Sequence, residues 1–228
     1  MTWAIKPGPL AGDQDFPSVE SSPLQPSCNR APGPIGHVVD CHMLEIQTLP
    51  SVDRPRPTPI GGSRAMTIGE ELSVAQIFGN SIDFSIVRIH RKKFIFFQPD
   101  DVTMAPDGNI YFNTTYFSED FSLEDEKKGH FIHEMVHVWQ HQLGYPVMFR
   151  GMLRIGLNYE YELDDNKKLS DYNMEAQGEI VSDYFLLKHL NHPHRMRMRK
   201  YADPIFIPTY EKVLDNFLRE PSSKNNLP

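Results

Sequence analysis

The chain has 228 residues, of which 39% are hydrophobic and 23% charged, and its formal net charge is −7. That length supports one well-cored domain of ordinary soluble composition. The negative balance excludes a general nucleic-acid binder, and no stretch approaches the ~18 apolar residues of a membrane-spanning helix.

In chain order, Met1-Thr2-Trp3-Ala4-Ile5-Lys6-Pro7-Gly8-Pro9 lacks a basic region followed by an apolar run. It does not read as a signal peptide, so the protein is expected to be made in the cytoplasm and to leave, if exported, by another route. Residues 1–60 hold 11 of the 19 prolines. Such a composition cannot sustain helical hydrogen bonding, and it predicts an extended N-terminal arm or linker, with a short strand over 37–46. Cys28 and Cys41 can pair, but nothing near them has metal-ligand spacing and they say little about compartment.

The folded domain is expected over 61–220, with 221–228 as a polar tail. Thr67-Ile68-Gly69-Glu70 is a capping box that opens a helix running to about Phe78, where Gly79 ends it. Strands are predicted over 82–89, 93–97 and 109–112, with Pro106-Asp107-Gly108 as the turn before the last of them. Together they suggest a small antiparallel sheet, and the class is α+β. Ser122 and Asp125 mark the start of a helix over 123–142, stopped by Gly144 and Pro146. A short helix is expected over 148–157, a long one from Asn173 to Leu187, and a last one over 209–218. The basic cluster His194-Arg195-Met196-Arg197-Met198-Arg199-Lys200 reads as a solvated helix end or loop.

Within the 123–142 helix, His133, Glu134 and His137 make the pattern H-E-x-x-H. Residues four apart share a helix face, so both imidazoles can reach one metal ion. Glu134 falls beside that ion, placed to take a proton from a water there. The neighbours Phe131, Ile132, Met135, Val136, Val138 and Trp139 are apolar nearly all round, as for a buried helix. Buried imidazoles and a carboxylate need partners, and a metal is an economical one. A catalytic zinc takes three protein ligands and keeps one open position. The third is sought on the later helix, where Glu175, Glu179 and Asp183 form an acidic stripe at intervals of four. Glu175 and Glu179 are both candidates, and an exposed stripe with no metal is the plain alternative. If Glu175 binds, Glu179 falls where it can orient a histidine ligand through its free ring nitrogen. His130 and His141 lie outside the motif, and His141 reads as a pocket-wall or surface residue.

The chain resembles zincin metallopeptidases of the Glu-ligand (gluzincin) branch. More closely, it is similar to the compact metallopeptidase domains found as toxins of type VI secretion systems, free-standing or fused to Vgr-type spike proteins. The likeness covers about residues 64–190. It rests on Arg64-Ala65-Met66-Thr67, Phe78-Gly79 with Ile82-Asp83 and Val87-Arg88-Ile89, Gly108-Asn109-Ile110-Tyr111-Phe112, the H-E-x-x-H helix through Gln140, and Asn173-x-Glu175-x-Gln177-x-x-Ile180-Val181-x-Asp183-Tyr184. The resemblance implies Zn²⁺ held by His133, His137 and Glu175, with Glu134 as the catalytic base. Glu179-x-x-x-Asp183 fits the general gluzincin spacing, so Glu179 stays an alternative ligand.

It further implies a peptide or protein substrate aligned by an edge strand at Gly108 to Phe112, and an antibacterial effector acting in a target cell's periplasm. A cognate immunity protein and a secretion spike or adaptor are the implied partners. An oxyanion donor is sought by residue type among Tyr159, Tyr161 and Tyr184. Two other classes stay open: a zinc hydrolase acting on a cell-wall peptide or another non-protein substrate, and a binding module with a vestigial motif.

Overall fold

The structure of the protein, a computed structural model, describes residues 56–100, 102–153 and 158–228, with Met152 and Leu153 described by their backbone alone. The readings made for residues 1–55, including the arm, the 37–46 strand and both cysteines, lie outside the described residues.

The capping box does what its residues dictate. Thr67 Oγ1 accepts from the Glu70 amide and the Glu70 carboxylate accepts from the Thr67 amide, opening helix α1 (Ile68–Phe78). Gly79 ends that helix at φ 53°, a conformation open to glycine. Glu70 is fully buried and is also gripped by both Arg64 terminal nitrogens, at 2.7 and 2.6 Å, and by the Phe121 amide at 2.8 Å. The Arg64-to-Thr67 motif therefore ties α1 to the turn that precedes the motif helix.

The sheet has three short strands, β1 (Ser63–Arg64), β2 (Ile89–Arg91) and β3 (Ile110–Phe112), in the order β1-β2-β3. It is mixed rather than antiparallel: β1 pairs antiparallel with β2, but β2 pairs parallel with β3. A hairpin cannot join parallel neighbours, so the chain between β2 and β3 is a long irregular crossing. The strand expected at 93–97 is absent for that reason. Its residues form turns, pinned where the Phe94 amide donates to Gln98 Oε1 at 2.7 Å. The apolar run there walls a cleft instead of entering a sheet. Of the expected 82–89 strand only Ile89 enters β2; Phe84–Ile86 form a 3-10 turn, started by the Asp83 carboxylate capping Ser85, and the rest is irregular.

Helices α2 (Asp125–Gln142) and α4 (Met174–Lys188) pack against each other as the centre of the domain, with α3 (Val147–Leu153) between them in sequence. Helix α2 starts at Glu124 without a side-chain cap, because Ser122 is engaged with Asp120 in the preceding turn. Every residue of α4 from Met174 to Leu187 is buried, including Glu175, Gln177, Glu179 and Asp183, so each of these polar side chains needs a partner inside the domain. Glycines set the spacing: a Cβ at Gly129 would stand 2.8 Å from Leu186 Cδ1, and Ser182 Oγ donates to Gly129 O at 2.7 Å.

The expected last helix is two, α5 (Ile207–Val213) and α6 (Asp215–Arg219). Phe217 of α6 meets Phe78 and Trp139 edge-on, with centroids 5.5 and 5.2 Å apart. The boundary residues belong to the fold more than their composition suggested. Thr58 is buried and bonded twice to Glu119, while the expected tail packs on the domain: Trp139 Nε1 donates to Pro221 O at 2.7 Å and Asn226 is buried.

Candidate metal centre

His133 and His137 sit one turn apart on α2, and the first turn of α4 brings Glu175 across to them. Asn173 opens α4 by accepting from the amides of Glu175 and Ala176. His133 Nε2 and His137 Nε2 are 3.1 Å apart, and Glu175 Oε2 lies 3.3 and 3.2 Å from them. All three side chains are buried. Four-coordinate tetrahedral geometry with bonds of about 2.0 Å separates its ligand atoms by about 3.3 Å, so the spacing suits one small cation. These three residues can hold a metal ion.

Glycine makes the room. A Cβ at Gly178 would come within 2.5 Å of His133 Cε1 and 2.8 Å of its Nε2, so the imidazole lies directly on the α4 backbone. Across the site, His137 Nδ1 lies 2.9 Å from Gln140 Oε1, which turns its Nε2 towards the cluster.

Glu179 does not converge with the other three. Its Oε1 lies 3.6 Å from His133 Nδ1 and 3.6 Å from Arg197 Nε, beside the histidine on the side away from the cluster. Asp183 is engaged elsewhere, accepting from Tyr161 Oη at 2.6 Å and from the Arg197 and Met198 amides. That anchors part of the basic segment to α4, so the segment is not simply solvated.

The electrostatics follow from burial around unpaired charge. Burial raises Glu134 to about 8 and pushes Glu179 well above the usual carboxylate range. Burial lowers His133 to about 4. For His137 burial works against the charge, but the Glu175 carboxylate overrides it and brings the pKa up to about 9. Burial likewise works against Glu175 ionising, but His137 overrides it and holds that carboxylate far below its usual range. Without a cation, then, the centre is a buried ion pair beside carboxyls that resist ionising.

Glu134 faces an open cleft that His133, His137 and Glu175 also line. The rest of its lining is largely apolar, with Phe94, Ile95, Phe97, Val147 and Met148 among it. Behind Glu134, His130 Nε2 stands 3.5 Å from Oε1, against the Tyr116 ring. His141 is exposed and lies over Gly108, outside the cluster.

The expected substrate strand needs correcting. β3 is buried throughout, and Tyr111 exchanges two backbone bonds with Met104. Residues 103–106 thus cover the outer edge of β3 and themselves line the cleft. Of the tyrosines, Tyr161 is spent on Asp183 and Tyr210, and Tyr184 bonds Glu211. Tyr159 lies near the centre, its ring 6.3 Å from that of His133.

Sequence reasoning missed Gly178 and residues 103–106, and it quoted Gln140 and Gln177 in its motifs without giving them a role. A glycine inside a helix, unfavourable by roughly 0.5–1 kcal/mol relative to alanine, was the available signal for Gly178. Gln140, one turn on from His137, was visible by spacing alone.

Fold and site define a mixed α/β domain with a buried His-His-Glu centre at the floor of a cleft. No protein-family model matches the chain. A solved structure, the effector domain of Pseudomonas aeruginosa VgrG2b, is 37% identical with a TM-score of 0.54, over 67% of this chain and 87% of that one. The chain belongs to the family of that effector domain. The type VI secretion system spike protein VgrG2b of Pseudomonas aeruginosa is 44% identical over 133 residues, covering 55% of this chain and 13% of the spike protein. The chain therefore spans a small part of that protein's length.

Proposed function

We propose that the protein is a zinc-dependent metallopeptidase of zincin type that serves as a type VI secretion effector. The observation that carries the reading is the convergence of His133 Nε2, His137 Nε2 and Glu175 Oε2, with Glu134 beside them at the cleft floor. Two imidazoles and a carboxylate suit zinc. When bound, zinc would polarise a scissile carbonyl and make a water acidic near neutral pH.

The chain's own residues supply the rest. Glu134 takes the proton of the attacking water and returns it to the leaving amine. A carboxylate beside that water can make both transfers, because it is not itself a metal ligand. Met104 pairs with β3, and Thr103, Met104 and Ala105 line the cleft, where an extended peptide would lie along this segment. The apolar walls receive a large apolar side chain next to the scissile bond.

Membership of the effector-domain family supports delivery by a secretion spike or adaptor. Action in a target-cell periplasm and an immunity protein in the producer are part of the same proposal. The deciding experiment pairs zinc analysis with hydrolysis of denatured protein and of purified sacculi. Wild type is expected to hold one zinc and cleave protein, and Glu134→Ala to hold zinc without cleaving. Cleavage of sacculi alone would move the substrate to cell-wall peptide, and a chain that binds no zinc would end the reading. Expression with and without an added export signal tests the compartment, with growth arrest expected in the exported form only.

A further inference from the structure

Behind His137 runs a chain of buried amides whose direction is fixed from its far end. Gln177 Nε2 donates to two main-chain carbonyls, Leu169 O at 2.8 Å and Asn226 O at 3.0 Å. Carbonyls can only accept, so the amino group of Gln177 must face them and its Oε1 must face the other way. There Oε1 receives Gln140 Nε2 at 2.9 Å, and the same amino group reaches Met174 O at 3.3 Å. Gln140 is thereby turned to present Oε1 to His137 Nδ1, 2.9 Å away. Both glutamines are fully buried, so a reversed amide would leave donors facing donors with no water to relieve them.

We infer that Gln177 and Gln140 form a one-way amide relay that fixes the Nδ1–H tautomer of His137, so that the main chain at Leu169 and Asn226 sets the metal-binding competence of the centre. The inference rests on the metal-centre reading above. Gln140 and Gln177 are positioning residues: they act through His137. Asn226 lies in the segment whose composition resembles a tail, and its carbonyl gives that segment a part in the site.

The relay makes an unusual demand on mutants. Gln177→Met breaks the link two residues away from the centre and frees Gln140 to turn its amino group to His137. Zinc affinity, read by competition with a chromophoric chelator, is expected to fall about 10–100-fold. Adding Gln140→Glu in the same chain is expected to restore most of it, because a carboxylate offers an acceptor to Nδ1–H whichever way it turns. A merely structural role for Gln177 would give no such rescue. Thermal unfolding of the metal-free variants checks that each folds. In the zinc-loaded wild type, ¹⁵N-histidine NMR is expected to show His137 protonated at Nδ1 and bound through Nε2, a measurement that needs no variant. Unchanged affinity in Gln177→Met, loss without rescue, or a zinc-loaded His137 protonated at Nε2 would overturn the relay and leave the centre standing. A wild type that binds no zinc would remove the centre itself.

Discussion

The imidazole of His133 rests on Gly178, so closely that a Cβ there would lie 2.5 Å from Cε1. Helix and imidazole are fitted through the one residue type without a side chain. Gly178→Ala should favour α4 formation locally and still displace His133, since the contact is with a ligand ring held among buried neighbours. The expected outcome is a folded protein with zinc affinity reduced at least tenfold, measured by chelator competition. Gly129→Ala is the control: it meets the flexible end of Leu186, away from the cluster, and should cost stability while leaving zinc stoichiometry at one. Equal zinc affinity in Gly178→Ala and wild type would dismiss the cradle.

The two glutamates of α4 should separate by sign. Glu175→Ala is expected to abolish tight zinc binding. Glu179→Gln removes a carboxyl that burial already disfavours, so the metal-free protein should unfold at a higher temperature. It also removes the group beside His133 Nδ1, so zinc affinity should fall about tenfold. Calorimetry with and without zinc checks both; zinc retention in Glu175→Ala with loss in Glu179→Gln would reverse the assignment.

Opposite pH trends are expected for stability and metal binding. His137 is raised from 6.5 to about 9 in the metal-free fold, chiefly by Glu175 acting against burial. The stability from that pair is complete below pH 6.5 and is lost as pH rises through 9. Zinc needs the neutral ring, so affinity should climb across the same interval, by up to about tenfold per unit. Thermal unfolding of the metal-free protein and zinc titration at pH 6.5, 7.5 and 8.5 measure the two slopes; slopes of the same sign would contradict the pairing.

The apolar wall should act on substrate choice. Phe97→Ala is expected to raise KM about tenfold for peptides carrying a large apolar residue at the cleaved bond, and to change kcat much less. Peptides with a small residue there should be nearly unaffected. An equal loss on both would place Phe97 outside the subsite.

Away from the centre, Arg64→Ala strands the buried Glu70 carboxylate and should destabilise the fold by about 3–5 kcal/mol. Urea unfolding measures it; a loss under 1 kcal/mol would show that the Thr67 and Phe121 amides suffice.

What could be read in advance was what local chemistry determines. The capping box at Thr67 and Glu70 opened α1 as its residues require, and the i, i+4 spacing put His133 and His137 on one face. The acidic stripe located α4, but spacing alone could not choose between Glu175 and Glu179, because that depends on the depth at which two distant helices cross. Phe94 to Phe97 misled as a strand because a run of apolar residues looks the same whether it enters a sheet or walls a cleft. The parallel pairing of β2 with β3 and the burial of Asn226 are long-range outcomes with no local signature.

The closeness of Glu175 to His137 has one more consequence. The two are 38 positions apart in the chain, one on each central helix, and a cation shared between them ties the ends of the intervening segment together. That segment carries α3 and with it one wall of the cleft. In the proposed zinc form the ion would be a staple as well as a reagent: it would add to the His137–Glu175 pairing that already closes this loop, and a chelator would remove that added hold and the chemistry in the same act.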